Sequence, residues 1–234
     1  MRTTKKYHKN IFFITTTSRE KGFLHLHFEN PTLMSRAKKG DLILFVYGDE
    51  KIKKAKTRDI EGHTNIKDLI IPYKESYVTL CEKTLKAIKY CTYNFNFDYI
   101  HKGDVTKVME IEYLDIDKKN TKDYIGISAI RARKDKWGGF SHGGITRECT
   151  PCETRVFRKW ANGRDLYIDS HYFDPSVYYS GWKPYSMSQK FARLIVKYGD
   201  PYNNLYKKYL AGCEDHMIGK IWKDLHLAFN LTMR

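Results

Sequence analysis

The chain has 234 residues, 41% of them hydrophobic and 15% aromatic, enough large side chains for a packed core and too many for wholesale disorder. Forty-two Lys and Arg against 27 Asp and Glu give a formal charge of +15, and no apolar run approaches the ~20 residues of a membrane span. The basic start MRTTKKYHKN is followed by IFFITTT, too short and too polar for a signal peptide, so a cytoplasmic protein with no membrane partner is expected.

Asn10–Thr17 and Gly22–Phe28 are β-branched or aromatic runs broken at Ser18–Lys21, the pattern of a hairpin. Asn30-Pro31 supplies an N-cap and then proline at the first helical position. A short helix should therefore run through Leu33, Met34 and Ala37 and stop before Gly40. Asp41–Tyr47, DLILFVY, is almost wholly apolar, which predicts a central strand buried on both faces. Val78, Cys81, Leu85 and Ile88 recur at helical spacing within Glu75–Tyr93, with Glu82, Lys83, Lys86 and Lys89 on the other face. Strands are expected at Val105–Leu114, at Tyr124–Ala132 with Gly126 marking a bulge or a close backbone approach, and at Asp165–Tyr172.

The remainder reads as helices. Met187, Phe191, Leu194, Ile195 and Tyr198 form one stripe closed by Gly199 as a C-cap. Asp200-Pro201 opens a second helix with Leu205, Tyr206, Tyr209 and Leu210, and Met217 to Phe229 belongs to a third. Together these predict a single α+β domain over 1–234. Its core is curved or barrel-like and mostly antiparallel, over about 10–172, covered by C-terminal helices over about 185–230.

The charge excess points to a polyanion, most simply nucleic acid. Arg131, Arg133, Lys136, Trp137, Arg155 and Arg158 fall in one third of the chain with a Gly-rich loop at 138–144. Cations interleaved with aromatics suit phosphate contact plus base stacking; ordinary surface charge is the plain alternative. Five cysteines make an odd count, against a disulfide framework. Cys149-x-x-Cys152 lacks the second half-site that zinc needs, and two reduced thiols are the simpler reading.

Arg36-Ala37-Lys38-Lys39-Gly40-Asp41 followed by LILFVY, with YIGISAI at 124–130, resembles the PUA-like superfamily, including EVE, ASCH and nucleotide-modification-associated domains. The resemblance implies a small closed barrel with an aromatic-lined base pocket. On the residues alone, Gly40 permits a tight turn, Asp41 can accept backbone N–H bonds, and Arg36, Lys38 and Lys39 put cations at the rim; a structural turn with solvated lysines is the plain alternative.

Three further patterns suggest chemistry. Alternation in GFLHLHF would put His25 and His27 on one strand face, where a pair of imidazoles can hold a metal ion. That pattern resembles the His-hydrophobic-His of HUH nucleases, which also use a helical tyrosine, for which Tyr202, Tyr206 and Tyr209 are candidates; a half-exposed histidine face is the alternative. Asp104, Asp117 and Lys119 loosely resemble a PD-(D/E)-x-K nuclease core. Asp215 and His216 follow Glu214 at a helix start, either as a helix-terminal charge arrangement or as an acid–base pair.

The function expected is therefore a base-recognising DNA-binding protein of restriction or modification type, with double-stranded DNA as partner. The alternatives are a DNA-cleaving enzyme and a non-catalytic RNA-binding module. The enzyme would be a metal-dependent nuclease or a metal-free base-excising glycosylase. A divalent metal is the cofactor the nuclease alternatives would need, and a homodimer is left open.

Overall fold

β1 (Lys6–Thr15) is the strand about which the sheet is organised. In the computed structural model, which describes residues 4–75, 79–111, 122–126, 129–131, 133–134, 140–141, 177–179, 183–209 and 214–233, β1 pairs in parallel with two neighbours. These are β2 (Leu42–Gly48) on one side and β5 (Phe95–Asp104) on the other. β2 pairs in parallel with β4 (His63–Ile71), and β3 (Lys56–Ile60) closes that edge antiparallel. Beyond β5 lie two antiparallel strands, β11 (Tyr185–Ser188) and then β6 (Tyr124–Gly126). The order is β3-β4-β2-β1-β5-β11-β6. Two small antiparallel pairs accompany it: β7 (Ala129–Arg131) with β10 (Val177–Tyr179), and β8 (Arg133–Lys134) with β9 (Phe140–Ser141).

Five α-helices are present among the described residues: α1 (His25–Phe28), α2 (Pro31–Lys38), α3 (Leu80–Asn94), α4 (Gln189–Tyr209) and α5 (Glu214–Phe229). Parallel strands joined through helices make right-handed crossovers. The connection from β1 to β2 moves one way along the sheet, and that from β4 to β5 moves back past β1. Their helices must therefore lie on opposite faces. They do: Leu33 and Ala37 of α2 pack with Phe12, Ile14, Ile43 and Phe45. On the other face, Leu85 and Ile88 of α3, Phe191 and Ile195 of α4 and Ile218 of α5 pack with Ile11, Phe13, Leu42 and Leu44. Consecutive residues of β1 and β2 thus face two different cores, which is why both strands read as unbroken apolar runs.

The sheet is open and its centre is parallel, so the expected barrel-like, mostly antiparallel core is corrected, as is the closed barrel implied by the PUA-like resemblance. The helices are not a C-terminal cover alone, since α2 and α3 lie between the central strands in sequence. No helix among the described residues is long and apolar enough to cross a membrane.

The local readings divide. Asn30 caps α2, its Oδ1 accepting the Leu33 N–H at 3.1 Å, with Pro31 at the first helical position. Gly40 takes φ +98° at the turn into β2. The expected strand Gly22–Phe28 is instead a 3-10 turn (Ser18–Phe23) followed by α1. Leu24 and Phe28, four apart, pack against the α2-side core, so helical spacing won over alternation. Val105–Ile111 is not a strand; it tucks Val105, Met109 and Ile111 into that same core. Tyr124–Ala132 splits between two sheets, and Asp165–Tyr172 lies outside the described residues.

α4 runs through Asp200-Pro201 without a break. Its buried positions Phe191, Ile195, Gly199 and Asn203 recur every four residues across the proline. A continuous packed stripe therefore outweighs the one backbone hydrogen bond that Pro201 removes. Gly199 is not a cap but a close approach: a Cβ there would lie 2.8 Å from Leu85 Cδ1 of α3.

Candidate functional site

Arg36 is not a rim cation. It is 7% exposed, and its Nε lies 3.7 Å from Asp41 Oδ2. Asp41 accepts the Asn10 N–H at 3.0 Å and the Asn10 side-chain amide at 3.2 Å. Since the Asn10 amide nitrogen faces Asp41, its Oδ1 is an acceptor, and His101 Nε2 meets it at 3.0 Å. His101 Nε2 must then carry the hydrogen, and Nδ1 accepts the Ser186 hydroxyl at 2.6 Å. Burial pushes His101 down to about 3, so the ring is neutral. Ser186, His101, Asn10 and Asp41 look like a nucleophile chain, but all four are buried. They tie β11, β5, β1 and β2 together. Lys39, by contrast, is exposed.

The histidine pair is separated. His25 and His27 stand on α1, two residues and therefore about 200° apart around a helix. His27 is buried against Phe45, with Nε2 donating to the Val105 carbonyl at 3.0 Å, while His25 is exposed and bonds the Gly22 carbonyl at 2.6 Å. They cannot share a metal ion. No group of three His, Cys, Asp or Glu is placed to hold one among the described residues. The Tyr202 hydroxyl donates to Asp224 at 2.7 Å.

Glu214, Asp215 and His216 open α5 as expected, and all three are buried. Asp215 Oδ1 accepts the His216 N–H at 2.9 Å. Glu214 bonds Lys102 of β5 in a fully buried ion pair. Burial alone would pull Lys102 down, but Glu214 and Asp104 together outweigh it and raise the ammonium, so the lysine stays charged. β7 and β8 carry Arg131 and Arg133. The side chains of those two, with Lys136, Trp137, Arg155, Arg158, Asp117, Lys119, Cys149 and Cys152, lie outside the described residues, as do those of Tyr206 and Tyr209.

The structure brings together a different set. A cavity of about 670 Å³ opens at the carboxyl ends of β1, β2 and β5. In open sheets with parallel centres, ligands bind at this edge where the outgoing connections diverge, and β1 and β5 diverge here. Thr15–Thr17 and Glu20 line the cavity from the end of β1, Gly48–Lys51 from β2, Tyr73–Glu75 from the segment after β4, Lys83 from α3 and Asp104 from β5. Five carboxylates (Glu20, Asp49, Glu50, Glu75, Asp104) face three lysines (Lys51, Lys74, Lys83), a formal −2 in a chain of +15.

Lys83 is the fourth residue of α3 and its side chain is 2% exposed. Its ammonium donates to the Thr16 carbonyl, and the nearest carboxylate oxygen, Glu75 Oε1, is 4.0 Å away. Burial lowers Lys83 to about 8; Glu75, Glu20 and Asp104 pull the other way, and the Lys102 charge adds to the lowering. Glu75 Oε1 is anchored by the Gly48 N–H at 2.9 Å. A Cβ at Gly48 would strike the Tyr73 ring and Glu75 Cγ, so only glycine lets these two side chains close over the end of β2. Asp104 Oδ1 is fixed by the Thr106 N–H at 2.8 Å and hydroxyl at 2.7 Å.

Of the residues anticipated from the sequence, Asp104 is in the cleft; its expected partners Asp117 and Lys119 lie outside the described residues. Helical spacing puts Lys83 on the solvent face of α3, and the structure buries it instead. Lys83 sits near the start of α3, where nothing local marks it; the parallel order of β1, β2 and β5 is the signal that would have found it. No protein-family model matches this sequence, and no curated protein matches it; what the cleft can do follows from its own residues.

Proposed function

We propose that the protein binds DNA and acts on one nucleotide in this cleft, as a base-excising enzyme of restriction or modification type. One observation supports the reading above others: a net-negative cleft, with a buried lysine among its carboxylates, in a chain whose total charge is +15. A phosphate backbone is drawn to the cationic surface and repelled by the cleft. What enters is then the uncharged part of a nucleotide, a base and its sugar turned out of the stack. A volume near 670 Å³ is ample for that group.

Carboxylates are the groups that glycosidic cleavage uses. A protonated one assists departure of the leaving group, and an ionised one stabilises the positive charge developing on the sugar. Glu75 and Asp104, both held by backbone N–H groups, are the candidates for these roles. Lys83 and Glu20 set the local field.

The test uses plasmid and duplex DNA carrying natural and modified bases, incubated with and without EDTA and then treated with hot alkali to reveal abasic sites. The reading expects alkali-revealed breaks that persist in EDTA and vanish with Asp104→Asn and Glu75→Gln. Duplex binding should fall steeply with salt, by roughly −0.9 log unit per log unit for each neutralised phosphate. Direct breaks abolished by EDTA would make the protein a metal-dependent nuclease, and a flat salt response would end the nucleic-acid reading.

A further inference from the structure

We infer that Lys83 is an amine nucleophile and that the cleft accepts an aldehyde, the open-chain C1′ carbonyl of an abasic deoxyribose, which the protein then cleaves by β-elimination. The inference rests on the proposed action on DNA and names the second substrate class of the same cleft.

The argument begins with where Lys83 sits. It lines the cavity, yet its side chain is 2% exposed, so its ammonium has lost its water. A buried ammonium is tolerated where a carboxylate touches it. Lys102 has that contact with Glu214. Lys83 does not: its hydrogen bond goes to the neutral Thr16 carbonyl, and Glu75 stands off at 4.0 Å. It also lies in the first turns of α3, where the helix dipole disfavours a cation. The groups acting on it from the surrounding elements are Glu75, Glu20, Asp104 and Lys102. A neutral amine can keep its hydrogen bond to Thr16 through one N–H and still present its lone pair to the cavity. A desolvated lysine of this kind is the usual form of an amine nucleophile toward a carbonyl.

The chemistry balances within the cleft. The Lys83 nitrogen adds to C1′, and the carbinolamine loses water to give an iminium. A carboxylate, Asp104 or Glu75, takes a proton from C2′. The C2′–H electrons form a C2′–C3′ double bond, the C3′–O bond breaks, and the 3′ phosphate leaves with its electron pair. Water then hydrolyses the unsaturated imine and returns the free amine.

The experiment uses the full chain and a duplex with one aldehydic abasic site, incubated with sodium cyanoborohydride. Reduction turns the imine into a stable secondary amine, which joins protein to DNA. The expected result is a covalent adduct on denaturing gels, mapped by mass spectrometry to Lys83, with a yield that rises with pH through about 8. Lys83→Met and Lys83→Arg should each reduce the adduct to background while salt-dependent duplex binding is retained. An adduct mapped to another lysine, or no adduct with binding intact, overturns the inference and leaves the proposed action on DNA standing. No duplex binding at all removes both.

Discussion

Two sets of polar groups, one sealed within the fold and one lining the cleft, are built in opposite ways. In the sealed set the partners meet directly: Lys102 meets Glu214, Asp41 meets Asn10, and His101 meets Asn10 and Ser186. In the cleft, Lys83 is equally buried but its nearest carboxylate oxygen is 4.0 Å off. Burial is therefore not what distinguishes a structural group from a reactive one. Direct pairing holds a group in one protonation state; the lack of close pairing leaves its proton exchangeable near neutral pH.

The contrast is most exposed to disproof at the sealed pair. Glu214→Gln removes the partner of Lys102 and leaves an uncompensated buried cation, which costs about 3–5 kcal/mol. Urea unfolding at pH 7 measures it. A loss below about 1 kcal/mol would mean that the pair contributes little and that the two lysines do not differ as described.

The next effect is at acid pH. His101 is neutral in the fold, pushed down to about 3, and titrates near 6.5 when unfolded. Between those values the unfolded chain binds the extra proton, so stability falls as pH drops from 6.5 toward 3, by at most about 5 kcal/mol from this group. His8 and His27, also lowered by burial, act in the same direction. Thermal unfolding across this range checks the trend, and replacing His101 with Gln should flatten it.

At alkaline pH the cleft is the source. Lys83 is lowered to about 8 in the fold and titrates at 10.5 when unfolded. Between 8 and 10.5 the unfolded chain holds a proton that the folded one has lost, so stability rises with pH, by at most about 3 kcal/mol. The buried tyrosines Tyr124 and Tyr185, raised well above 10.0, oppose this near the top of the window. Buried Cys91, raised from 9.0 to about 12, opposes it already from pH 9, so the rise should be seen between pH 8 and 9 and be absent in Lys83→Met.

The smallest effect sharpens the contrast. Lys83→Met at pH 7 should change stability by no more than about 1 kcal/mol, or raise it, because no carboxylate is left in contact with an empty partner position. Lys102→Met should be as damaging as Glu214→Gln. Equal losses for the two lysines would erase the distinction.

How much of this was legible in the sequence depends on how local each feature is. DLILFVY read correctly as a doubly buried strand, and Asn30-Pro31 and Gly40 read correctly as a cap and a turn, since a few neighbouring residues decide each. β5, FNFDYIHKGD, did not read as a central strand. Its polar residues are acceptable inside the sheet only because Asn10, Ser186 and Glu214, each more than 80 residues away in sequence, meet them. The histidines of GFLHLHF fit alternation as a bare pattern, and only packing of Leu24 and Phe28 on the α2 side made the segment helical. The cleft is assembled from strand ends, so it became visible only with the parallel order of the sheet.

The central claim is that Lys83 is held where it can shed its proton near neutral pH. It is tested most directly by a pH titration of the Lys83 side chain, followed through the 13Cε chemical shift of labelled protein and assigned with Lys83→Arg. The account predicts a midpoint near 8, with Lys102 unchanged across the same range. A Lys83 midpoint at or above the ordinary lysine value of about 10.4 would contradict it.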